Sequence, residues 1–188
     1  MNASLTFKPS LYDALLALPK GLTGEILQGR LYSHPRPSWA HGLAGSRLGA
    51  DIEGPYGRGR GGPGGWWIID EPEVHLILDR EVVVPDIAGW RKEHLPLPPQ
   101  GHKVQVVPDW VCEILSASTS KTDRDVKMPL YAQFGVQYAW LVDPAAHRLE
   151  AYDLIDSKWR LLALFRADDR VSIAPFDSIQ IRLEELWG

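Results

Sequence analysis

At 188 residues, 45% of them hydrophobic and 23% charged, the chain has the make-up of one globular domain and not of a disordered or fibrous protein. Its formal charge of −4 excludes a protein that coats nucleic acid by bulk positive charge, although a local basic groove stays open. The lone cysteine, Cys112, excludes an intramolecular disulfide, and the six histidines show no zinc-like spacing, so a reducing cytoplasm without a structural zinc is the simpler setting.

The first residues, MNASLTFKPSLYDALLALPKG, lack the basic stretch and long apolar run of a secretion signal, and no segment is long enough to span a bilayer. Ser10 is placed to cap a short helix with Leu11, Leu15 and Leu18 on one face, ended by Lys20 and Gly21. GEILQGRLYSHP reads as a hairpin turning at Gln28-Gly29. Ser38 to Ile52 suits a helix with Leu43 and Leu48 inward, weakened by its glycines. GPYGRGRGGPGG, residues 54–65, reads as a flexible loop; its arginines Arg58 and Arg60 fit a solvated connector better than an arm for phosphates. WWIIDEPEVHLILDREVVVPDIAGW suggests two or three strands, with Pro85 at a strand end, and residues 91–103 form a Pro-rich loop. VVPDWVCEIL is a strand, a helix surrounds Lys127, and QYAWLVDP is a second strand. RLEAYDL and KWRLLALFR make an antiparallel hairpin before the IRLEELWG tail. The mixture predicts an α/β or α+β fold: one domain over residues 1–188.

Alternation along residues 109–115 puts Asp109, Val111, Glu113 and Leu115 on one face and Trp110, Cys112 and Ile114 on the other. Both faces are partly apolar, which predicts a central strand covered on both sides. A carboxylate there is costly unless paired or metal-bound, so Glu113 is the most conspicuous acid in the chain. Asp86, after the apolar run EVVVP, is by itself an ordinary turn aspartate; beside Glu113 it becomes a second site acid. Glu73 in DEPEVHL offers a third carboxylate with weaker support. Lys127, Tyr131 and Phe134 share a helical face, which draws the lysine toward the packed side, while Pro129 requires the helix to start late or kink. Glu25 and His41 are further candidates to line the same cleft.

The segments VVVPDIAGWR, PDWVCEILSAST, DRDVKMPLYAQFGV and WLVDP together resemble the Uma-type restriction endonuclease family of the PD-(D/E)XK nuclease superfamily. The resemblance covers most of the chain. It implies a restriction endonuclease-like core, a mixed β-sheet flanked by helices, with Asp86 and Glu113 as the motif acids. Leu115 stands where the superfamily usually has its lysine, and Lys127 on the next helix is the natural substitute. The implied activity is a metal-dependent endonuclease acting on DNA. Asp86 and Glu113, assisted by Glu73, would bind Mg²⁺ or Mn²⁺, and Lys127 would orient water or stabilise the transition state. A homodimer would suit cutting of both strands. The competing readings are an inactive nuclease-fold module that binds nucleic acid or protein, and a glycosidase-like pair of carboxylates.

Overall fold

The structure, a computed structural model, describes residues 9–188. Helix α1, Leu11–Leu16, opens with a capping box: Ser10 Oγ accepts from the Asp13 amide, and the Asp13 carboxylate accepts from the Ser10 amide. It is shorter than its sequence suggests, and it buries Tyr12 while Leu11 is exposed. Strands β1, Leu22–Leu27, and β2, Arg30–Pro35, form the expected hairpin. Gln28 and Gly29 both take positive φ, 51° and 72°, as a two-residue turn with matching twist requires. Helix α2, Trp39–Ile52, is capped by Ser38, and Leu48 and Ile52 are buried. Its glycines bring helix and sheet close: a Cβ on Gly45 would lie 3.0 Å from Ile114, and one on Gly49 3.2 Å from Asp70.

A π-turn over Glu53–Gly57 follows, so the glycine-rich segment starts helical, while residues 58–65 form the expected loop with neither helix nor strand. The amides of Arg60 and Gly64 donate to the carbonyls of Gly54 and Pro55, and buried Tyr56 accepts through its hydroxyl from the Ser178 amide.

The next stretch holds four strands, one more than expected: β3, Trp66–Asp70; β4, Glu73–Ile77; β5, Glu81–Val83; and β6, Ile87–Arg91. Then come β7, Lys103–Val104, and β8, Trp110–Ile114. A helical passage runs as α3, Ser120–Thr122, a π-turn over Asp123–Lys127, and α4, Met128–Gln133. Pro129 falls at the start of α4, where its missing N–H is tolerated, and the π-turn lies just before it. Strands β9, Tyr138–Asp143, β10, Arg148–Ile155, β11, Lys158–Arg166, β12, Arg170–Val171, and β13, Ile181–Arg182, precede the final helix α5, Glu184–Trp187.

The strands divide between two main sheets. One has the order β11-β10-β9-β8-β6-β3 and is mixed, with β8 and β9 parallel. The other has the order β2-β1-β5-β4-β7, and β12 pairs with β13 separately. As expected, β8 is covered on both faces. Trp110, Cys112 and Ile114 join a core with α2, α5, Trp140 and Phe176. Val111 and Leu115 join a second core with α4 and with Leu27, Val74 and Val83 of the second sheet. The chain changes sheets between β5 and β6, at Val84-Pro85-Asp86. Pro85 lacks the N–H that would continue a ladder, so the crossing falls where pairing has to stop.

Candidate active site

That crossing opens onto a cleft of about 700 Å³, lined among others by Glu25, His41, Asp86, Glu113, Asp123 and Lys127. Five of the six predicted site residues therefore meet. Asp86 is fixed at the sheet crossing: one carboxylate oxygen accepts from the Ile114 amide at 2.7 Å, the other lies 2.8 Å from His41 Nε2. Glu113 projects from β8 toward the second core and is 2% exposed. Its carboxylate accepts from Lys127 Nζ, at 2.8 and 2.9 Å to its two oxygens, and from the Tyr131 hydroxyl at 2.5 Å. Lys127 Nζ also lies 3.0 Å from Glu25 and 3.2 Å from the Val84 carbonyl, so its three protons all have acceptors. Glu25, on β1, accepts in addition from the Val84 amide at 2.8 Å.

Buried carboxylates crowd one ammonium here. Burial, reinforced by Asp123, Asp86 and Glu25, pushes the Glu113 carboxyl well above its ordinary range, against the pull of Lys127. Burial likewise raises Asp123, 3.9 Å from Lys127, to about 6. For Lys127 burial works toward deprotonation, but Glu113 and Glu25 overcome it and hold its pKa well above the usual lysine value. For His41 desolvation is likewise overcome, chiefly by Asp86, and its pKa is raised. Its Nδ1 is buried without a partner among the described residues.

Glu73 does not join this group. It sits on β4 in the second sheet, where it accepts from the Tyr12 hydroxyl and from His75 Nε2, each at 2.7 Å. The Asp79 amide donates to His75 Nδ1, which leaves the ring proton on Nε2 and ties Glu73 into a structural network beside α1. Asp109, on the same strand face as Glu113, is also elsewhere: it accepts from the Arg91 amide and contacts His94.

The model of the Uma2 family, described as "Putative restriction endonuclease", matches residues 11–184. The chain belongs to the Uma2 family. A solved structure from Anabaena variabilis ATCC 29413, described as "a putative nuclease belonging to DUF820", shares its fold with a TM-score of 0.74. That protein is 21% identical over 94% of this chain and 96% of its own. No curated protein matches the chain.

Two groups of this Uma2 chain escape a reading of single acids: Asp123, which lines the cleft, and the buried hydroxyl of Tyr131, which donates to Glu113. The signal was present as spacing: 123, 127 and 131 are successive i,i+4 positions, so a helix stacks them on one face. Tyr131 looked like an apolar anchor because nothing in the sequence places a carboxylate opposite its hydroxyl. The donor set suits a hard divalent cation, since Asp86 and Glu113 present carboxylate oxygens to the same cleft. Among the described residues no three His, Cys, Asp or Glu side chains form a ready metal cage.

Proposed function

We propose that this protein is a divalent-metal-dependent endonuclease that hydrolyses phosphodiester bonds of nucleic acid, with DNA as the first substrate to test. The observation that carries the reading is the meeting of Asp86 and Glu113 in one cleft, with Lys127 bonded to Glu113 from the neighbouring helix. Asp86 and Glu113 would hold Mg²⁺, or Mn²⁺ in its place. When bound, the ion would activate water and neutralise charge on the scissile phosphate.

The chain's own groups divide the remaining work. Lys127 has its pKa held up by two carboxylates, so it stays protonated and serves electrostatically instead of as a base. Tyr131 fixes one Glu113 oxygen, and His41 orients Asp86 opposite the Ile114 amide. Glu25 holds Lys127 from the far wall. Glu73 is not part of the proposed set. Concerted cutting of both strands would call for a second copy of the chain; nicking would not.

Supercoiled plasmid incubated with EDTA, Mg²⁺ or Mn²⁺ tests the reading. Metal-dependent nicking that Glu113→Gln abolishes supports it. Cleavage that survives Glu113→Gln, or proceeds equally in EDTA, overturns it.

A further inference from the structure

We propose that His34 is the general base of this cleft, the group that takes a proton from the attacking water. The inference rests on the phosphodiester hydrolysis proposed above and supplies what that reaction still lacks. Lys127 stays protonated, so the proton of the water has to go elsewhere.

The place is right. Residues 32–38 line the cleft in succession. Side chains alternate along a strand, so an unbroken run means that the cleft follows the open edge of β2, the outermost strand of its sheet. His34 sits on that edge with its side chain 29% exposed, open to the water of the cleft. Its Nε2 faces Glu25, 3.9 Å from Oε2, and the other oxygen of Glu25 holds Lys127 at 3.0 Å. The imidazole therefore stands across one carboxylate from the lysine that serves the reaction.

The ring is also set the right way. Nδ1 lies 3.4 Å from the Pro35 carbonyl. A carbonyl only accepts, so this bond puts the proton of the neutral ring on Nδ1 and leaves the lone pair on Nε2. The distance from Nε2 to Glu25 is too long for a hydrogen bond, and nothing else among the described residues bonds Nε2. A lone pair facing a wet cleft without a partner is what a base requires.

The other basic groups are occupied. Asp86 accepts from the Ile114 amide and contacts His41, and Glu113 accepts from Lys127 and Tyr131. His41 turns Nε2 to Asp86, and its Nδ1 is buried. Glu25 accepts from the Val84 amide and holds Lys127. Glu71 is left as a carboxylate, and a free carboxylate is about a hundredfold weaker as a proton acceptor than a free imidazole. Asp123, raised to about 6 by burial, comes nearer, but its side chain is only 6% exposed and lies beside Lys127. It is the rival that the test has to exclude.

In the step, the water oxygen forms its bond to phosphorus as its proton passes to His34 Nε2, and the bond from phosphorus to the leaving oxygen breaks. The leaving oxygen of a nucleic-acid chain takes a proton from solvent water, and the imidazolium afterwards returns its own proton to solvent. The Pro35 carbonyl keeps the ring in place throughout, because Nδ1–H donates to it in both protonation states.

The test uses bis(4-nitrophenyl) phosphate, a diester small enough for a cleft of about 700 Å³, whose nitrophenolate leaves without needing a proton. With Mn²⁺ present, His34→Gln should lower kcat by about 10²–10⁴-fold and change KM little, with melting and Mn²⁺ binding as in the wild type. Added imidazole should restore part of the activity of His34→Ala, which a structural role would not allow, and should do nothing for Asp123→Asn. Independently of turnover, spectra of ¹⁵N-labelled histidine should show the neutral Nδ1–H form for the signal that His34→Gln removes. Turnover of His34→Gln at the wild-type rate, a loss that imidazole fails to restore, or an Nε2–H signal overturns the inference. Plasmid and small diester both untouched by the wild-type protein would remove the nuclease reading and this inference together. Hydrolysis of the small diester alone, dependent on His34, would sink the nuclease reading and support this one.

Discussion

Replacing Lys127 with methionine keeps most of the side-chain volume and removes the charge. Glu113 and Glu25, each nearly inaccessible, then lose the ammonium 2.8 to 3.0 Å away. Breaking a buried ion pair by deleting one partner typically costs about 3–5 kcal/mol, because the remaining charge is stranded. Glu113 limits the damage. Its carboxyl is already pushed up by burial and can shed its charge by binding a proton, so we place the cost near 3 kcal/mol at pH 8. For a domain of this size that is a fall in Tm of about 6–12 °C. Denaturant unfolding at several pH values is the assay. The penalty should shrink on acidification, since the stranded Glu113 carboxyl, its pKa raised by burial, binds a proton more readily folded than unfolded. Adding Glu25→Gln should recover a kcal/mol or more through the shared contact. A cost below about 1 kcal/mol, independent of pH and untouched by Glu25→Gln, would show that Lys127 is not the counter-charge of the cleft.

Tyr131→Phe removes the hydroxyl bonded to Glu113 and should cost about 1–3 kcal/mol in denaturant unfolding, with slower cleavage but metal binding retained. Asp123 titrates near 6 when folded against 3.8 in the free side chain. The folded state holds this proton more tightly, so its contribution to stability is complete below about pH 4 and is lost as pH rises through 6, up to about 3 kcal/mol. Asp123→Asn should flatten the stability profile between pH 4 and 7, which thermal melts across that range would reveal.

The strand alternation at Asp109–Leu115 could be read correctly because both faces of β8 are apolar and the period is fixed by the backbone. From that one strand follow the buried acid and a central position covered on both sides; the mixed sheet flanked by helices came from the family resemblance. The hairpin at Gln28-Gly29 and the capped α2 were equally legible, each carrying its own local chemistry. What the sequence did not reveal is non-local. Glu73 and Asp86 look alike as acids beside apolar strands, yet Pro85 sends the chain to another sheet, and only Asp86 lies at that crossing. The helical start of the glycine-rich segment was hidden for the same reason, since buried Tyr56 meets Ser178, far away in the sequence.

The hairpin of β1 and β2 has one ladder pair with the rest of its sheet, Ile26 with Val82, beside the Gln28 amide donating to Glu81 and the packing of Leu27. Immediately beside that slender joint, Glu25 reaches Lys127 and the Val84 amide. Lys127 is thus also a latch that fastens this hairpin to the body of the protein. Docking of the hairpin completes the wall of the cleft that Glu25 supplies. Contacts so distant in sequence close late in folding, after the loops between them have been ordered. A chain with its hairpin undocked therefore leaves Lys127 without its Glu25 partner and opens one wall of the cleft to water.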